Sequence, residues 1–299
     1  MNGKKLLSII TVNYNGFDDT CALIDSIPAH DQAEVIVVDN GSRRNEAAML
    51  ALRYPDVKTI RSDKNLGFAG GNNLGIKAAE GEYLFFVNND TLFPETDDRG
   101  TAFEKIALLI RRMQQDPQIG MVCPKIRFAW GSRPIQFTGY TPLKPIVLRN
   151  HAIGFGEEDH GQYETPHPTP YAHGAAMLVS RQALNTVGLM PECYFLYYEE
   201  LDWSMMFTRQ GYAIWYDPAF TIYHKESQAT GQDSALKTYY ITRNRLLFAK
   251  RNQPFRFRYL TYAYLIGVVA VRDLLKHTLR RRSDLNRAVL SGIRDFFAL

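Results

Sequence analysis

Between residues 6 and 87 the chain alternates short, unbroken apolar runs with helix-like stretches, and that alternation constrains the fold more than any other feature. The runs at 6–12, 34–39, 57–61 and 83–87 are rich in Ile, Val and Phe and read as strands, with helical patterns at 17–27, 45–53 and 72–79 between them. Strands that are apolar on both faces need cover on both faces, and the intervening helices supply it. The pattern therefore implies an α/β fold built on a mostly parallel, Rossmann-like sheet flanked by helices. Ligands of such sheets bind at the carboxyl ends of the strands, which directs attention to residues 13–16, 39–42, 62–71 and 88–91.

Further along, a helix is expected at 102–115 and a strand at 121–128. Residues 129–170, rich in Gly, Pro, aromatics and His, lack periodicity and read as long loops over the site. A strand at 175–179, helices near 181–187 and 201–210, a short strand at 213–216 and helices from about Ser234 complete the reading. It divides the chain into a catalytic domain, 1–235, and a basic helical extension, 236–299.

With 45% hydrophobic residues in 299, the chain can bury a substantial core. Its three cysteines, Cys21, Cys123 and Cys193, are far apart and without CxxC spacing, which argues against a disulfide framework or structural zinc and fits a reducing cytoplasm. The first apolar run is too short for a signal-peptide core. The net charge of +4 hides an asymmetry, because from Arg243 onward thirteen Lys and Arg face three Asp. Nucleic acid and anionic membrane both suit a basic tail. The aromatic and apolar run 259–271, flanked by basic groups and shorter than the roughly 20 residues needed to span a bilayer, favours peripheral membrane association. A helical hairpin packed on the catalytic domain or on a second subunit is the alternative.

Three segments carry chemistry. Asp39 ends a strand before Asn-Gly-Ser, where its carboxylate can accept from a ribose hydroxyl or a base N–H, or else cap the next turn. The segment from Asn65 to Gly75 sets glycines and asparagines at a strand-to-helix junction, suited to a close-lying polar ligand or to a flexible loop with Asn caps. It is not a P-loop, and the turn after the first strand lacks GxGxxG. Asn88-Asn89-Asp90 ends an apolar strand with oxygen donors suited to a hard divalent cation, or to a strand-terminating turn.

Taken with the 8–15 run, the His173-Gly-Ala-Ala-Met-Leu178 run, the Tyr197-Tyr-Glu-Glu-Leu-Asp-Trp203 run and Gly211-Tyr212, these motifs resemble glycosyltransferase family 2 of the GT-A fold, in its bacterial rhamnosyltransferase-like branch. The resemblance spans about residues 6–250. It implies an inverting, metal-dependent transferase that moves a sugar from a nucleoside diphosphate, with dTDP-rhamnose favoured, to a glycan or lipid-linked acceptor in polysaccharide assembly. Under it, Thr11, Tyr14, Asn15 and Asp39 line the base pocket, and Asn65, Gly67, Gly71, Asn72, Asn73 and Asn89 wrap the nucleotide sugar. Asp90, in a DxD variant whose first Asp is Asn88, binds Mn²⁺ or Mg²⁺, with His224 as a possible partner. Glu200 is the base, matched by its spacing to Gly211, while Glu199 and Asp202 support the acceptor or the helix start. Arg243, Asn244 and Arg245 either approach phosphate or belong to a basic helix face. The implied setting is the cytoplasm or the inner face of its membrane, with no nucleic acid and homo-oligomerisation left open. A nucleotidyltransferase and a catalytically silent sugar-nucleotide or glycan-binding module are the rival readings. The first would need a Gly-rich, Arg-containing signature after the first strand, which 11–16 does not supply.

Overall fold

The computed structural model describes residues 5–95, 100–226 and 234–299. One mixed sheet organises the fold. Its first half runs β1 (Leu7–Asn13), α1 (Phe17–Ser26), β2 (Ala33–Asp39), α2 (Glu46–Arg53), β3 (Lys58–Arg61), α3 (Gly67–Ala78) and β4 (Tyr83–Val87). β5 (Thr91–Leu92), α4 (Ala102–Gln115), β6 (Ile119–Phe128), β7 (Ile135–Phe137), β8 (His167–Pro168) and β9 (Ala176–Ser180) follow. Then come α5 (Arg181–Val187), α6 (Glu199–Arg209), β10 (Ala213–His224) and four C-terminal helices, α7 (Ala235–Asn252), α8 (Phe255–Tyr264), α9 (Val271–Leu279) and α10 (Ser283–Phe297).

The strand order is β3-β2-β1-β4-β9-β6-β10-β5. β1 to β4 are mutually parallel, as expected for strands with no polar face, and every residue of β4 is buried. β9 reverses the direction between β4 and β6, and β10 then runs parallel to β6. Six strands thus point their carboxyl ends the same way, and the polar ends of β1, β2, β4 and β10 gather on one rim.

Three boundaries differ from the sequence reading. α3 starts at Gly67 rather than near residue 72, because Gly71 and Gly75 let the helix lie against the sheet. A Cβ on Gly71 would meet Val12 Cγ1 at 2.7 Å, and one on Gly75 would meet Ile10 Cγ2 at 2.4 Å. The strand expected at 213–216 extends to His224, so His224 closes a strand instead of following a turn. The 129–170 stretch is mostly irregular but contributes β7 and β8 to the sheet edges. α7 begins at Ala235 behind the cap residue Ser234, whose hydroxyl accepts from Lys237 N. Its buried Leu246, Leu247 and Phe248 join Leu148 and Tyr194 in a second apolar cluster with Leu265, Val269 and Phe296, so the C-terminal helices pack on the body through a core of their own.

Candidate active site

Residues from β1, β2 and the approach to α3 form a closed polar network. Asn13, fully buried, donates to Glu46 Oε2 at 2.7 Å and accepts from Thr20 Oγ1 and Gly16 N. Asp39 is also fully buried: Oδ1 accepts from Ser42 N, and Oδ2 accepts from Ala47 N and, at 2.5 Å, from Arg61 Nη1. Asn40 donates to Asn65 Oδ1 and Gly67 O and accepts from Leu66 N. Asn65 accepts from Gly67 N as well, at a φ of +75° that favours glycine. A side chain there would collide with the Phe195 backbone, which accepts a hydrogen bond from Phe68 N.

The remaining residues expected at the nucleotide divide. Asn73 turns away from the rim, its amide donating to Met190 O and Glu192 Oε1 and its oxygen accepting from Met190 N. Asn72 donates to Phe68 O in its own helix, and Asn89 donates to Gly16 O and Thr20 Oγ1. Asn15 accepts from Arg43 N, while Tyr14 is 49% exposed beside it, leaving its ring face open. Thr11 is buried with a hydroxyl that has no partner among the described residues.

A second group forms where the β4–β5 turn, the segment entering β9, the start of α6 and the end of β10 converge. Asp90 and His224, both nearly buried, come together with Oδ1 3.1 Å from Nε2. The other ring nitrogen, Nδ1, lies 2.8 Å from the buried Gln136 Oε1 on β7 and donates to it. Nε2 faces the Asp90 carboxylate, with Asn88 Nδ2 at 3.5 Å. A shared proton or a bound cation would join the ring nitrogen to that carboxylate. Imidazole nitrogen and carboxylate oxygen aimed at one point suit Mn²⁺ or Mg²⁺, and Gln136 has the orienting role of an outer-sphere partner. No third His, Cys, Asp or Glu completes a cluster among the described residues. A cation here would draw its remaining ligands from water and a diphosphate.

His173 stands beside this pair, its ring centroid 6.4 Å from that of His224. Burial, reinforced by His224, pushes its pKa down to about 3, so the ring is neutral at working pH and accepts from Ala175 N through Nδ1. Next to it, Gly174 leaves room for Glu200: a Cβ at 174 would lie 3.7 Å from Glu200 Cγ.

Glu199 and Glu200 open α6, where the helix dipole favours acids. Burial nevertheless raises both carboxyls above the usual range, and the neighbouring Glu200 charge adds to the rise at Glu199. Glu199 is 3% exposed, with one carboxylate oxygen unpartnered among the described residues. Glu200 is only partly buried, and its side chain lies against Gly174. Asp202 points elsewhere: it is fully buried, with Oδ2 accepting from Arg251 Nε at 2.5 Å and Oδ1 from Asn252 Nδ2 at 2.8 Å.

The segment leading into α6 is strained, since Phe195, Tyr197 and Tyr198 all have φ between 68° and 79°. Asn244 of α7 holds it by donating to the carbonyls of Tyr194, Leu196 and Tyr197, and Arg243 donates to those of Cys193 and Tyr194. Arg245 is buried and donates to Val147 O. The Arg243-Asn244-Arg245 run thus braces loops; it is neither free for phosphate nor a solvated face. Sequence reasoning missed Gln136, because a lone amide carries no motif, and it flagged the stretches holding Asn13, Asn40 and Asn244 without their bracing hydrogen bonds, whose partners lie far along the chain.

The sequence profile of glycosyl transferase family 2 matches residues 8–188. The low-salt glycan biosynthesis hexosyltransferase Agl10 of Haloferax volcanii is 27% identical over 296 residues, 97% of this chain and 91% of that protein. The N-acetylglucosaminyl-diphospho-decaprenol L-rhamnosyltransferase of Mycobacterium tuberculosis is 26% identical over 223 residues, 70% of this chain and 72% of that protein. Among solved structures, GalNAc-T7 with UDP, GalNAc and Mn²⁺ superposes with a TM-score of 0.60 at 14% identity, covering 91% of this chain and 58% of that one. Mannosyltransferase PcManGT from Pyrobaculum calidifontis, in complex with GDP-Man and Mn²⁺, gives 0.56 at 15% identity, covering 99% and 76%. At these identities the two structures show a shared GT-A-like fold.

Proposed function

The chain belongs to glycosyl transferase family 2, and from that premise we propose that it is an inverting hexosyltransferase in which Glu200 is the base. The observation that carries this reading is the contrast between the two candidate acids of α6. Glu200 is partly buried beside Gly174 with its pKa raised, whereas Asp202 is sealed under Arg251 and Asn252. A base poised above the usual carboxylate range is a better proton acceptor for a hydroxyl than an ion-paired aspartate.

Glu200 takes the acceptor hydroxyl's proton as that oxygen bonds to the anomeric carbon, on the face opposite the departing diphosphate. The bond from the anomeric carbon to the diphosphate oxygen breaks with its electron pair, which inverts the configuration. Asp90 and His224 would hold a divalent cation, with Gln136 fixing the His224 tautomer, and that cation would supply positive charge against the leaving diphosphate. Glu199, its carboxyl raised by burial and by its neighbour, stands beside the acceptor with one oxygen unpartnered among the described residues. Tyr14 offers a face to the nucleoside base. Asp39 acts through the 40–47 turn that its hydrogen bonds shape, and Thr11 faces the same pocket from β1.

For the donor, dTDP-rhamnose is the first candidate, supported by the motif resemblance and by the rhamnosyltransferase among the relatives. A glycan or lipid-linked acceptor follows from the same relatives. Incubating the protein with a panel of nucleotide sugars, Mn²⁺ and a lipid-linked acceptor tests the reading through nucleoside diphosphate release. Release with one hexosyl donor, abolished in Glu200→Gln, supports it. Donor binding without acceptor-dependent release from any donor would replace it with a binding module.

A further inference from the structure

α8, a six-residue π-helical stretch at Leu265–Ala270 and α9 form one continuous helix from Phe255 to Leu279, about 37 Å long at 1.5 Å per residue. Its inner side is packed: Leu265 and Val269 are buried in the second apolar cluster, and Thr261 and His277 are buried as well. The outer side is apolar without being covered. Tyr259, Leu260, Val268, Val271, Leu275 and Leu279 are each about half exposed or more, Leu279 at 86%. From Val268 onward they recur at three- and four-residue spacing and line a shallow groove of about 610 Å³.

The charge on this side has one sign. Arg272, Lys276 and Arg280 each follow an apolar residue of the stripe and share its groove. Arg256 is exposed near the other end. The only acid between residues 253 and 281 is Asp273, which pairs with Arg272. Lys276 and Arg280 have no ion-pair partner among the described residues. No helix among the described residues is long and apolar enough to cross a membrane.

We propose that the outer face of the 255–280 helix lies in the surface of an anionic lipid bilayer, its apolar stripe entering the acyl boundary and its basic row meeting the headgroups. An apolar stripe edged by Lys and Arg on a helix that does not span is the form that binds in the interfacial plane. Two copies packed stripe to stripe would bring their basic rows along one seam with only Asp273, already paired with Arg272, to answer them, and that repulsion disfavours self-association. The surface is read from this helix alone and is independent of the transfer reaction.

Flotation of the full chain with vesicles tests it. The protein is expected to float with phosphatidylcholine vesicles containing phosphatidylglycerol and to stay behind with phosphatidylcholine alone. Leu275→Glu/Leu279→Glu and Lys276→Gln/Arg280→Gln, both at exposed positions and checked for folding by circular dichroism, should each lower the bound fraction about tenfold or more. Absence of flotation, equal flotation with neutral vesicles, or full binding by the variants overturns the proposal. So does a dimer in light scattering that Leu275→Glu/Leu279→Glu converts to monomer, since the stripe would then join two copies.

Discussion

The rim of the sheet carries two polar clusters of similar composition and opposite character. Around β1, β2 and α3 the carboxylate of Asp39 and the amides of Asn13 and Asn40 find their partners within the protein. Around the β4–β5 turn, α6 and the end of β10, the groups are less settled. A histidine nitrogen lies 3.1 Å from a carboxylate, Glu199 has an oxygen without a partner among the described residues, and burial raises two adjacent acids. Buried polar groups are normally satisfied, so an unsatisfied one marks a place that awaits something. Under the proposed function, the first cluster gives the pocket its shape and the second supplies the groups for substrate and cation.

The largest effect should come from the open cluster. Glu200→Gln is expected to bind donor normally and lose turnover by roughly 10²–10⁴-fold, as for removal of a general base. Single-turnover transfer alongside donor calorimetry measures both. Near-normal turnover in that variant with an inactive but folded Asp202→Asn would reverse the assignment of the two acids.

The closed cluster should answer with stability. Asp39→Ala leaves Arg61 and two backbone N–H groups without their acceptor and should cost about 2–3 kcal/mol, below the full range for a buried pair because Arg61 is about one-third exposed. Urea denaturation reads this loss. An unshifted midpoint with weakened donor binding would move Asp39 into the open class.

Gln136→Ala leaves Asp90 and His224 in place while freeing the ring to change tautomer. Mn²⁺ affinity, measured with nucleoside diphosphate present, should fall by roughly 10–100-fold with little change in the denaturation midpoint. Unchanged affinity would separate Gln136 from the cation.

The smallest effect is in pH dependence. The Glu199 carboxyl is raised by burial and then by Glu200, so between the unfolded value near 4.3 and its folded value folding takes up a proton. Stability contributed by the protonated form is present at acid pH and lost as pH rises across that window. Glu199→Gln should therefore raise the melting temperature at neutral pH and leave it nearly unchanged at about pH 4. Turnover of the unmodified protein should rise with pH through the raised Glu200 value, an acid limb above the ordinary glutamate range.

The alternation of apolar runs was enough to read the layered α/β architecture, because burial on both faces removes any polar register from a strand. Motif order located the strand ends that meet at the rim, and spacing to Gly211 favoured Glu200 over Asp202 as the base now proposed. The reversal of β9 was not legible, since a fully buried strand reads the same in either direction. Nor was the early start of α3, whose glycines appear loop-like until Ile10 and Val12 are seen against them. The sequence by itself determined which residue types stand at the ends of the strands. Only the tertiary structure decided which of them are already occupied: Glu200 and Asp202, two positions apart on α6, point to nearly opposite sides of a helix with 3.6 residues per turn. α7 covers the Asp202 side through Arg251 and Asn252 while Glu200 lies against Gly174, and hydrogen-bond partners that arrive from distant segments leave no trace in local sequence.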